Sequence, residues 1–190
     1  MMMIVTTPHS AVLTTARLAL VPPTERDLPE LNELHADPRV WEHLPAGRHT
    51  SMEQTHALVD PYIAGWKSNG LDVWVARDKG TGALVGIGGP SLRGGLAWNL
   101  YYRLAPTAWG RGYAQEIIAA TRTALAAMGS DLPLVAYLLE NNEGSRRAAE
   151  RAGLNLIWSG PDRGNPDPSA VRLVFADRPL SPDALRLFCR

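Results

Sequence analysis

The sequence has almost no cysteine: Cys189, at the penultimate of 190 positions, is the only one. A single thiol cannot form a disulfide framework within the chain, and the spacing typical of a zinc site is absent. The five histidines also show no pattern typical of metal ligands. We therefore expect no bound metal, and the scarcity of cysteine is typical of proteins from a reducing compartment such as the cytoplasm.

Net charge and long apolar segments are missing as well. Nineteen Lys and Arg residues balance nineteen Asp and Glu residues, so the chain has no general field that would attract nucleic acid or an anionic membrane. No segment approaches the roughly 20 apolar residues of a membrane helix, and the first ten residues lack the basic and apolar regions of a signal peptide. The composition, 45% hydrophobic, predicts a single domain over 1–190, with its core at about 15–176 and a short helical tail at 179–189.

The two best-known phosphate-binding loops are also absent. There is no G-x-x-x-x-G-K-[ST] motif, and G-R-G-Y-A-Q, which begins at Gly110, breaks the dinucleotide fingerprint at its third glycine. What is present is Gly110-Arg111-Gly112, between a predicted strand over 98–104 and a predicted amphipathic helix. This arrangement can present free backbone N–H groups to an anion, and glycine lets a diphosphate approach the backbone. Taken alone, the turn is equally compatible with a simple strand-to-helix connection.

The remaining pattern predicts an α+β protein with the element order β-α-α-β-β-β-α-β-α-β-β. Capping-box patterns at Thr24 and Ser51 start the first two helices, and Asn142 is expected to cap a short later helix. The apolar segment 133–139 predicts a central strand covered on both faces, and Gly88-Gly89-Pro90 is predicted to be a connection. The predicted strands cover 17–21, 73–76, 84–87, 98–104, 133–139, 154–158 and 170–176.

A second motif, about thirty residues after the glycine turn, makes its interpretation more specific. The pattern N-x-x-S-x-R-x-x-E-x-x-G-L over 142–154 follows Y-x-L-x-P-x-x-W-G-R-G-Y-A over 102–114. Together they resemble the acyl-CoA N-acyltransferases of the GNAT superfamily, and most nearly the branch of ribosomal-protein alanine N-acetyltransferases (RimJ/RimL type). The resemblance covers about residues 15–176. It implies a single-domain, mixed, mostly antiparallel sheet of about six to seven strands flanked by helices and splayed between the fourth and fifth strands.

The resemblance also implies a reaction and a set of site residues. The reaction is direct transfer of an acetyl group from acetyl-CoA, the cosubstrate, to a primary amine of a protein N-terminus or a small molecule. The pantetheine arm would lie between the splayed strands against the backbone of Leu104 and Ala105, and Ser145 would assist the departing thiolate. The pyrophosphate would bind the N–H groups of Gly110, Arg111, Gly112, Tyr113 and Ala114, with Asn142 and Ser145 at the thiol end and Arg146 or Arg147 near a phosphate. Such a protein could act as a homodimer.

Three positions depart from the family pattern. Thr107 replaces a Gln or Arg before the glycines, Asn99 stands where many members have a glutamate, and Ala149 stands where many have a tyrosine acid. Neither an amide nor a methyl group can move a proton, so the general base is not identified. Three side chains could act through water, although each is more readily explained as structural or solvent-exposed: Glu140, His35 and His43.

The missing base bears on the acceptor. An α-amine, with a pKa of roughly 7.7–8.0, is about a tenth or more neutral at pH 7, whereas lysine, at about 10.4, is neutral less than about once in a thousand. The site therefore favours an α-amine or another weakly basic amine. The absent acid and base also leave open a catalytically weak or inactive CoA-binding module, and more distantly a different anion-binding domain. Ser145 itself is equally interpretable as a thiol-facing donor or as a residue of the first helical turn.

Overall fold

The computed structural model describes residues 12–189, which form an eight-stranded sheet with five α-helices. The strands are β1 (Leu13–Thr14), β2 (Leu18–Val21), β3 (Trp74–Asp78), β4 (Leu84–Arg93), β5 (Ala97–Leu104), β6 (Leu134–Leu139), β7 (Asn155–Pro161) and β8 (Val171–Ala176). The helices are α1 (Leu28–Ala36), α2 (Met52–Asn69), α3 (Tyr113–Ala127), α4 (Glu143–Arg151) and α5 (Pro182–Phe188). No helix within residues 12–189 has the length and apolar character needed to cross a membrane.

The strand order is β1-β2-β3-β4-β5-β6-β8-β7, and all neighbours are antiparallel except β5 and β6. Buried residues of α3 and α4 pack on one face of the sheet in the largest apolar cluster. The other face carries two smaller clusters, one under α1 and α2 and one under α5. The sheet is thus covered on both faces, which confirms the predicted α+β class.

The predicted helix starts are confirmed. Capping boxes are present at Thr24, before a short 3-10 turn that leads into α1, and at Ser51, before α2. The Asn142 side chain accepts a hydrogen bond from the Ser145 N–H at 3.1 Å and caps α4. These caps satisfy N–H groups that a helix leaves without partners, which is why short polar patterns locate helix starts well.

Three predictions about the strands were wrong. Gly88-Gly89-Pro90 lies inside β4, which pairs with β5 from Gly86 to Arg93. The glycines relieve crowding, since a Cβ on Gly89 would lie 2.5 Å from the Trp74 ring. The two-residue β1 was missed, so the sheet has eight strands instead of six or seven. β6 is central, but one of its faces is covered only in part: Val135 is buried there, whereas Tyr137 is 43% exposed.

The predicted splay between two central strands is confirmed. β5 and β6 pair only at Trp98 with Leu134 and at Asn99 with Val135, although both strands continue well beyond these positions. We call the point where they separate the fork, and the space beyond it the gap. Backbone groups on both sides of the gap lose their sheet partner, so a ligand can take its place.

Candidate active site

The register of β5 determines which backbone groups face the gap. The Ala105 N–H donates to the Val85 carbonyl on β4, and the Trp98 N–H donates to the Pro133 carbonyl on the β6 side, each at 2.9 Å. Because bonding direction alternates along a strand, the even-numbered residues of β5 direct their peptide groups towards β6. The gap is therefore lined by the backbone of Tyr102 and Leu104, while Ala105 is bonded to β4.

Of the two backbone positions expected to hold pantetheine, Leu104 has the better orientation. Its carbonyl accepts the Trp109 indole N–H at 2.9 Å, so its N–H is the group directed into the gap. Tyr102 was missed by the sequence reasoning. Only the register with β4, which a single strand does not reveal, could have identified it.

The glycine turn leads into an open helix N-terminus. Gly110 and Gly112 have φ values of 71° and 80°, in the left-handed region that favours glycine. The Glu116 N–H is bonded to the Gly112 carbonyl, and no side chain caps α3 at Gly112. The N–H groups of 112–115 therefore lack intrahelical partners. A Cβ at Gly110 would meet no described atom within 4 Å, so there is room for a diphosphate at this end of the helix.

Arg17 lies beside this turn and was not among the predicted site residues. Its Nη1 donates to the Arg111 carbonyl at 2.8 Å, and its guanidinium lies 4.3 Å from the centre of the Tyr113 ring. It also forms an ion pair with Glu116 at 2.8 Å. The Tyr113 ring is buried, so this residue can offer only its backbone N–H to a phosphate. Arg17 is 94 residues from Arg111, and the sequence contains no signal for that contact.

The first turn of α4 faces β5 across the gap. The Tyr102 hydroxyl donates to the Ser145 carbonyl at 3.4 Å, and burial raises the pKa of this tyrosine. Two hydroxyl-bearing residues thus lie together where the resemblance places the thiol. Ala149, in the position of the family's tyrosine acid, is buried.

The two arginines expected to reach a phosphate are on the exposed face of α4. Arg146 pairs with Glu150 at 3.0 Å and Arg147 with Glu143 at 2.9 Å, both with i, i+4 spacing. Exposed pairs of this kind contribute little, about 0.3–0.5 kcal/mol. Either guanidinium can therefore leave its partner for a phosphate at small cost.

The segment between α1 and α2, residues 37–51, is attached to the protein on both sides of the fork. On the β5 side, the Arg103 guanidinium lies 3.7 Å from the centre of the Trp41 ring, and its Nη1 donates to the Val40 carbonyl at 2.9 Å. After β6, the Asn141 Nδ2 donates to the His43 carbonyl at 3.3 Å. We call residues 37–51 the covering segment.

A cavity of about 480 Å³ lies between the covering segment, the end of β6 and the β7–β8 connection. Three carboxylates, those of Glu42, Glu140 and Asp167, line it, and none of the described lining residues is Lys or Arg. His43 also lines it, and burial together with the charge of Arg103 lowers its pKa to about 4, so it is neutral at pH 7. The cavity therefore carries negative charge in a chain whose net charge is zero.

The structure weighs against both histidines as the general base. His35 is fully buried, its Nδ1 lies 2.7 Å from the Leu31 carbonyl, and burial lowers its pKa to about 4. The pKa of His43 is lowered equally. An imidazole of that pKa is a weak proton acceptor at neutral pH.

Three buried polar residues instead form a row that runs from the segment before β3, through β4, to β5 at the fork. Asp72, Ser91 and Asn99 are each at most 5% exposed. The Ser91 hydroxyl donates to the Asp72 carboxylate at 3.4 Å, and Ser91 is directly opposite Asn99 in the β4–β5 register. The Asn99 Oδ1 is buried with no hydrogen-bond donor among the described residues. We call these three residues the polar row.

The carboxylate of Asp72 is the titratable group of the polar row. It accepts a hydrogen bond from the Val73 N–H at 2.8 Å, but burial dominates and raises its pKa from 3.8 to about 6. Its closest packing is against Gly65 of α2, where a Cβ would lie 2.0 Å from Oδ2. No sequence pattern selects Asp72, because its burial depends on this contact with α2.

The raised pKa of Asp72 predicts a pH-dependent stability. Between pH 3.8 and about 6 the folded protein retains a proton that the unfolded chain has lost, so this group's contribution to stability falls as pH rises through that window. Asp72→Asn removes the cost of burying an ionised carboxylate. The variant should gain stability relative to wild type from pH 4 to pH 7.5, by at most about 3 kcal/mol. Urea unfolding at pH 4 and at pH 7.5 gives the free energy of unfolding of both proteins. The difference between variant and wild type at each pH isolates Asp72, because both proteins contain the same histidines. An equal difference at both would contradict the raised pKa.

The gap between two splayed strands, the glycine turn and the open N-terminus of α3 define an acyl-CoA-dependent acyltransferase site. The sequence profile described as "Acetyltransferase (GNAT) domain" matches residues 17–155. That is well over half of the chain, and the protein belongs to the GNAT acetyltransferase family. It is an acyl-CoA-dependent acetyltransferase, and its cosubstrate is acetyl-CoA.

Solved structures share this fold over most of their length. An acetyltransferase from Agrobacterium tumefaciens str. C58 has a TM-score of 0.70 at 25% identity, covering 94% of this chain and 99% of that one. RimL, a ribosomal L7/L12 α-N-protein acetyltransferase in complex with coenzyme A, has a TM-score of 0.72 at 19% identity, covering 87% and 96%. A ribosomal-protein-S5-alanine acetyltransferase from Vibrio fischeri has a TM-score of 0.68 at 14% identity, covering 91% of this chain and 98% of that one. The chain thus shares its fold with two ribosomal-protein acetyltransferases, the type of protein that the sequence motifs resemble.

The residues present fit the cosubstrate. The gap offers backbone groups of β5 to an extended pantetheine arm, and the glycine turn offers open space and free N–H groups to a diphosphate. Bound acetyl-CoA would supply the activated acetyl group. Within residues 12–189 there is no group of three or more His, Cys, Asp or Glu side chains able to hold a metal ion.

Proposed function

We propose that the protein transfers the acetyl group to a primary amine, either the free α-amino group of a peptide or a small-molecule amine. The observation that carries this proposal is the acidic cavity between the covering segment and the end of β6. Because Asn141 follows β6 and contacts the covering segment, the cavity lies on the side from which an acceptor can reach the gap.

The charges of the cavity suit an ammonium group. Neither Glu42 nor Glu140 forms an ion pair with another residue of the described chain. An incoming amine in its protonated form would supply the missing countercharge, and attraction of this kind raises the local concentration of a cationic substrate. An α-amine, with a pKa of roughly 7.7–8.0, then loses its proton far more readily than lysine at about 10.4.

The names of two structural neighbours support a protein N-terminus as acceptor. RimL is described as an α-N-protein acetyltransferase, and the Vibrio fischeri protein as a ribosomal-protein-S5-alanine acetyltransferase. Both descriptions specify acetylation of a protein.

The test is release of CoA thiol from acetyl-CoA with a matched panel of acceptors. One peptide carries a free N-terminus and no lysine, its partner has a blocked N-terminus and one lysine, and a diamine and an aminoglycoside extend the panel. We expect the free N-terminal peptide to give the highest kcat/KM. Binding of acetyl-CoA without thiol release for any amine would contradict the proposal. That result would support the CoA-binding module, which Asn99 and Ala149 favour.

Removing a negative charge from the cavity should weaken binding of the amine and leave binding of acetyl-CoA unchanged. We expect Glu140→Gln to raise the KM for the amine by up to about fivefold, because the attraction of one solvent-accessible carboxylate is worth roughly 0.2–1 kcal/mol. The Kd for acetyl-CoA, measured by calorimetry, should not change. Glu33→Gln, at an exposed position of α1, is the matched control. Equal KM values for the two variants would show that the cavity does not attract the acceptor.

A further inference from the structure

We infer that Asp72 receives the proton lost by the acceptor amine, acting through the Ser91 hydroxyl and a water molecule held by the Asn99 amide. This inference rests on the proposed function. The sequence does not reveal the proton acceptor, and Asp72 lies outside the two motifs that resemble the family.

The position of the polar row is the first support. Asn99 and Val135 are the last paired residues before the strands separate, so the amide lies at the fork itself. The next residues on the same face, Tyr101 on β5 and Tyr137 on β6, flank the opening. Tyr101 is half-buried and Tyr137 is 43% exposed, so this face of the fork is partly open to solvent.

The second support is the unpaired amide oxygen. A buried polar atom without a partner costs about 1–3 kcal/mol, and most such atoms in native proteins are satisfied by protein or ordered water. The Asn99 Oδ1 has no donor among the described residues. A water molecule or the N–H of the substrate would supply that donor when the site is filled.

The third support is the continuity of the polar row. Directly opposed residues of an antiparallel pair have Cβ atoms about 4.5–5.5 Å apart, a separation that one water molecule can bridge between the Asn99 amide and the Ser91 hydroxyl. Ser91 already donates to Asp72 at 3.4 Å. The row thus connects the fork to the only one of its members that can hold an extra proton.

The surroundings of Asp72 allow it to accept that proton. Burial raises the pKa of the carboxyl group to about 6, against the opposing effects of the Val73 N–H, the Ser91 hydroxyl and the charge of Arg93. From α2, the buried Tyr62 hydroxyl is the other titratable group facing it. At pH 7 the carboxylate is mostly ionised, and its pKa lies closer to that of an α-amine than the pKa of an ordinary aspartate does, as efficient proton acceptance requires.

The proposed reaction forms one bond, breaks one bond and moves one proton along the polar row. The amine nitrogen forms a bond to the thioester carbonyl carbon, and the C–S bond breaks with its electron pair leaving on sulfur. The nitrogen gives one proton to the water at Asn99, that water gives one to Ser91, and Ser91 gives its own hydroxyl proton to the Asp72 carboxylate. The products are the N-acetylated amine, the CoA thiolate and a protonated Asp72, which returns its proton to solvent.

The experiment compares kcat/KM against pH for wild type and Asp72→Asn. Two acceptors are used whose amines differ by at least about one pK unit. For wild type we expect the inflection of the amine and, in addition, a limb with an inflection near pH 6 that is the same for both acceptors. For Asp72→Asn we expect that limb to disappear, the remaining inflection to follow the amine, and activity at pH 7 to fall about tenfold, below the usual general-base effect because the transfer is relayed. Urea unfolding of both proteins at the assay pH shows whether the variant is folded and so separates loss of the proton acceptor from loss of structure.

Two further variants separate a proton path from a structural role. Ser91→Ala should reproduce the loss, and Ser91→Thr, which retains a hydroxyl, should restore the wild-type limb. The control is Thr121→Val: Thr121 has another buried hydroxyl without a partner among the described residues, but it belongs to α3. The pH profile of kcat/KM for Thr121→Val should match that of wild type.

A folded Asp72→Asn variant with the wild-type pH profile and activity would overturn the inference and leave the proposed function intact. A wild-type profile that lacks the limb near pH 6 and shows only the inflection of the amine would do the same. Failure of the wild-type protein to acetylate any amine while it binds acetyl-CoA would instead refute the proposed function, and the relay with it.

Discussion

Gly112→Val should weaken acetyl-CoA binding by about ten- to a hundredfold. Gly112 has a φ of 80° at the start of α3, a conformation that a β-branched residue rarely adopts, so valine there should shift the backbone and misdirect the free N–H groups. Losing one charge-assisted hydrogen bond costs about 1.5–3 kcal/mol, and each 1.4 kcal/mol is about a tenfold change in affinity. Isothermal titration calorimetry with acetyl-CoA measures the effect directly.

A matched variant separates loss of binding from backbone strain. Gly129 has a φ of 64° at the other end of α3, and a Cβ there meets no described atom within 4 Å. Gly129→Val should therefore show the strain expected of valine in this region, about 1–3 kcal/mol of stability, with unchanged affinity. Wild-type affinity in a folded Gly112→Val protein would show that the pyrophosphate binds elsewhere.

Ser145→Ala should lower kcat by as much as about a hundredfold and leave acetyl-CoA affinity nearly unchanged. Its links to Asn142 and Tyr102 use the backbone N–H and carbonyl of Ser145, so alanine keeps them and loses only the hydroxyl. A hydroxyl that stabilises the departing thiolate acts mainly in the transition state, which lowers kcat and not affinity. The thiolate is already a fair leaving group, because the pKa of a thiol is about 8.5. We therefore expect the low end of general-acid effects, about a hundredfold or less.

Tyr102→Phe provides the comparison for that result, since its hydroxyl lies beside Ser145. Pre-steady-state kinetics must first show that acetyl transfer limits kcat. If kcat is then unchanged in Ser145→Ala and falls in Tyr102→Phe, Ser145 is a structural residue and the donor is on β5. If kcat falls in Ser145→Ala and not in Tyr102→Phe, the result supports Ser145 as the hydrogen-bond donor to the thiolate.

The sequence was most informative where structure depends on local chemistry. The capping boxes at Thr24 and Ser51 and the Asn142 cap were located correctly because each is complete within four residues. The glycine turn was found for the same reason. The splay between the two central strands came from the family resemblance, since no local pattern specifies where two strands cease to pair.

The parts that sequence could not supply depend on contacts between distant residues. Arg17 lies beside the glycine turn only because β2 lies near α3, and Asp72 is buried only because Gly65 leaves space for its carboxylate. Gly88 and Gly89 were assigned to a connection because glycine usually marks a turn. Here their neighbours crowd them within a strand, and only the packed sheet shows that crowding.

The fork gives the protein an interior sheet edge that only its cosubstrate can complete. The exposed peptide groups of Tyr102 and Leu104 resemble those of an edge strand, the feature through which sheet proteins pair with unrelated chains and aggregate. Bound acetyl-CoA would act as a missing strand, and a ligand at about a hundred times its Kd adds about 2.7 kcal/mol to stability. We therefore expect the folding stability of this enzyme to rise with acetyl-CoA concentration, so that the cosubstrate also holds the open part of the sheet together.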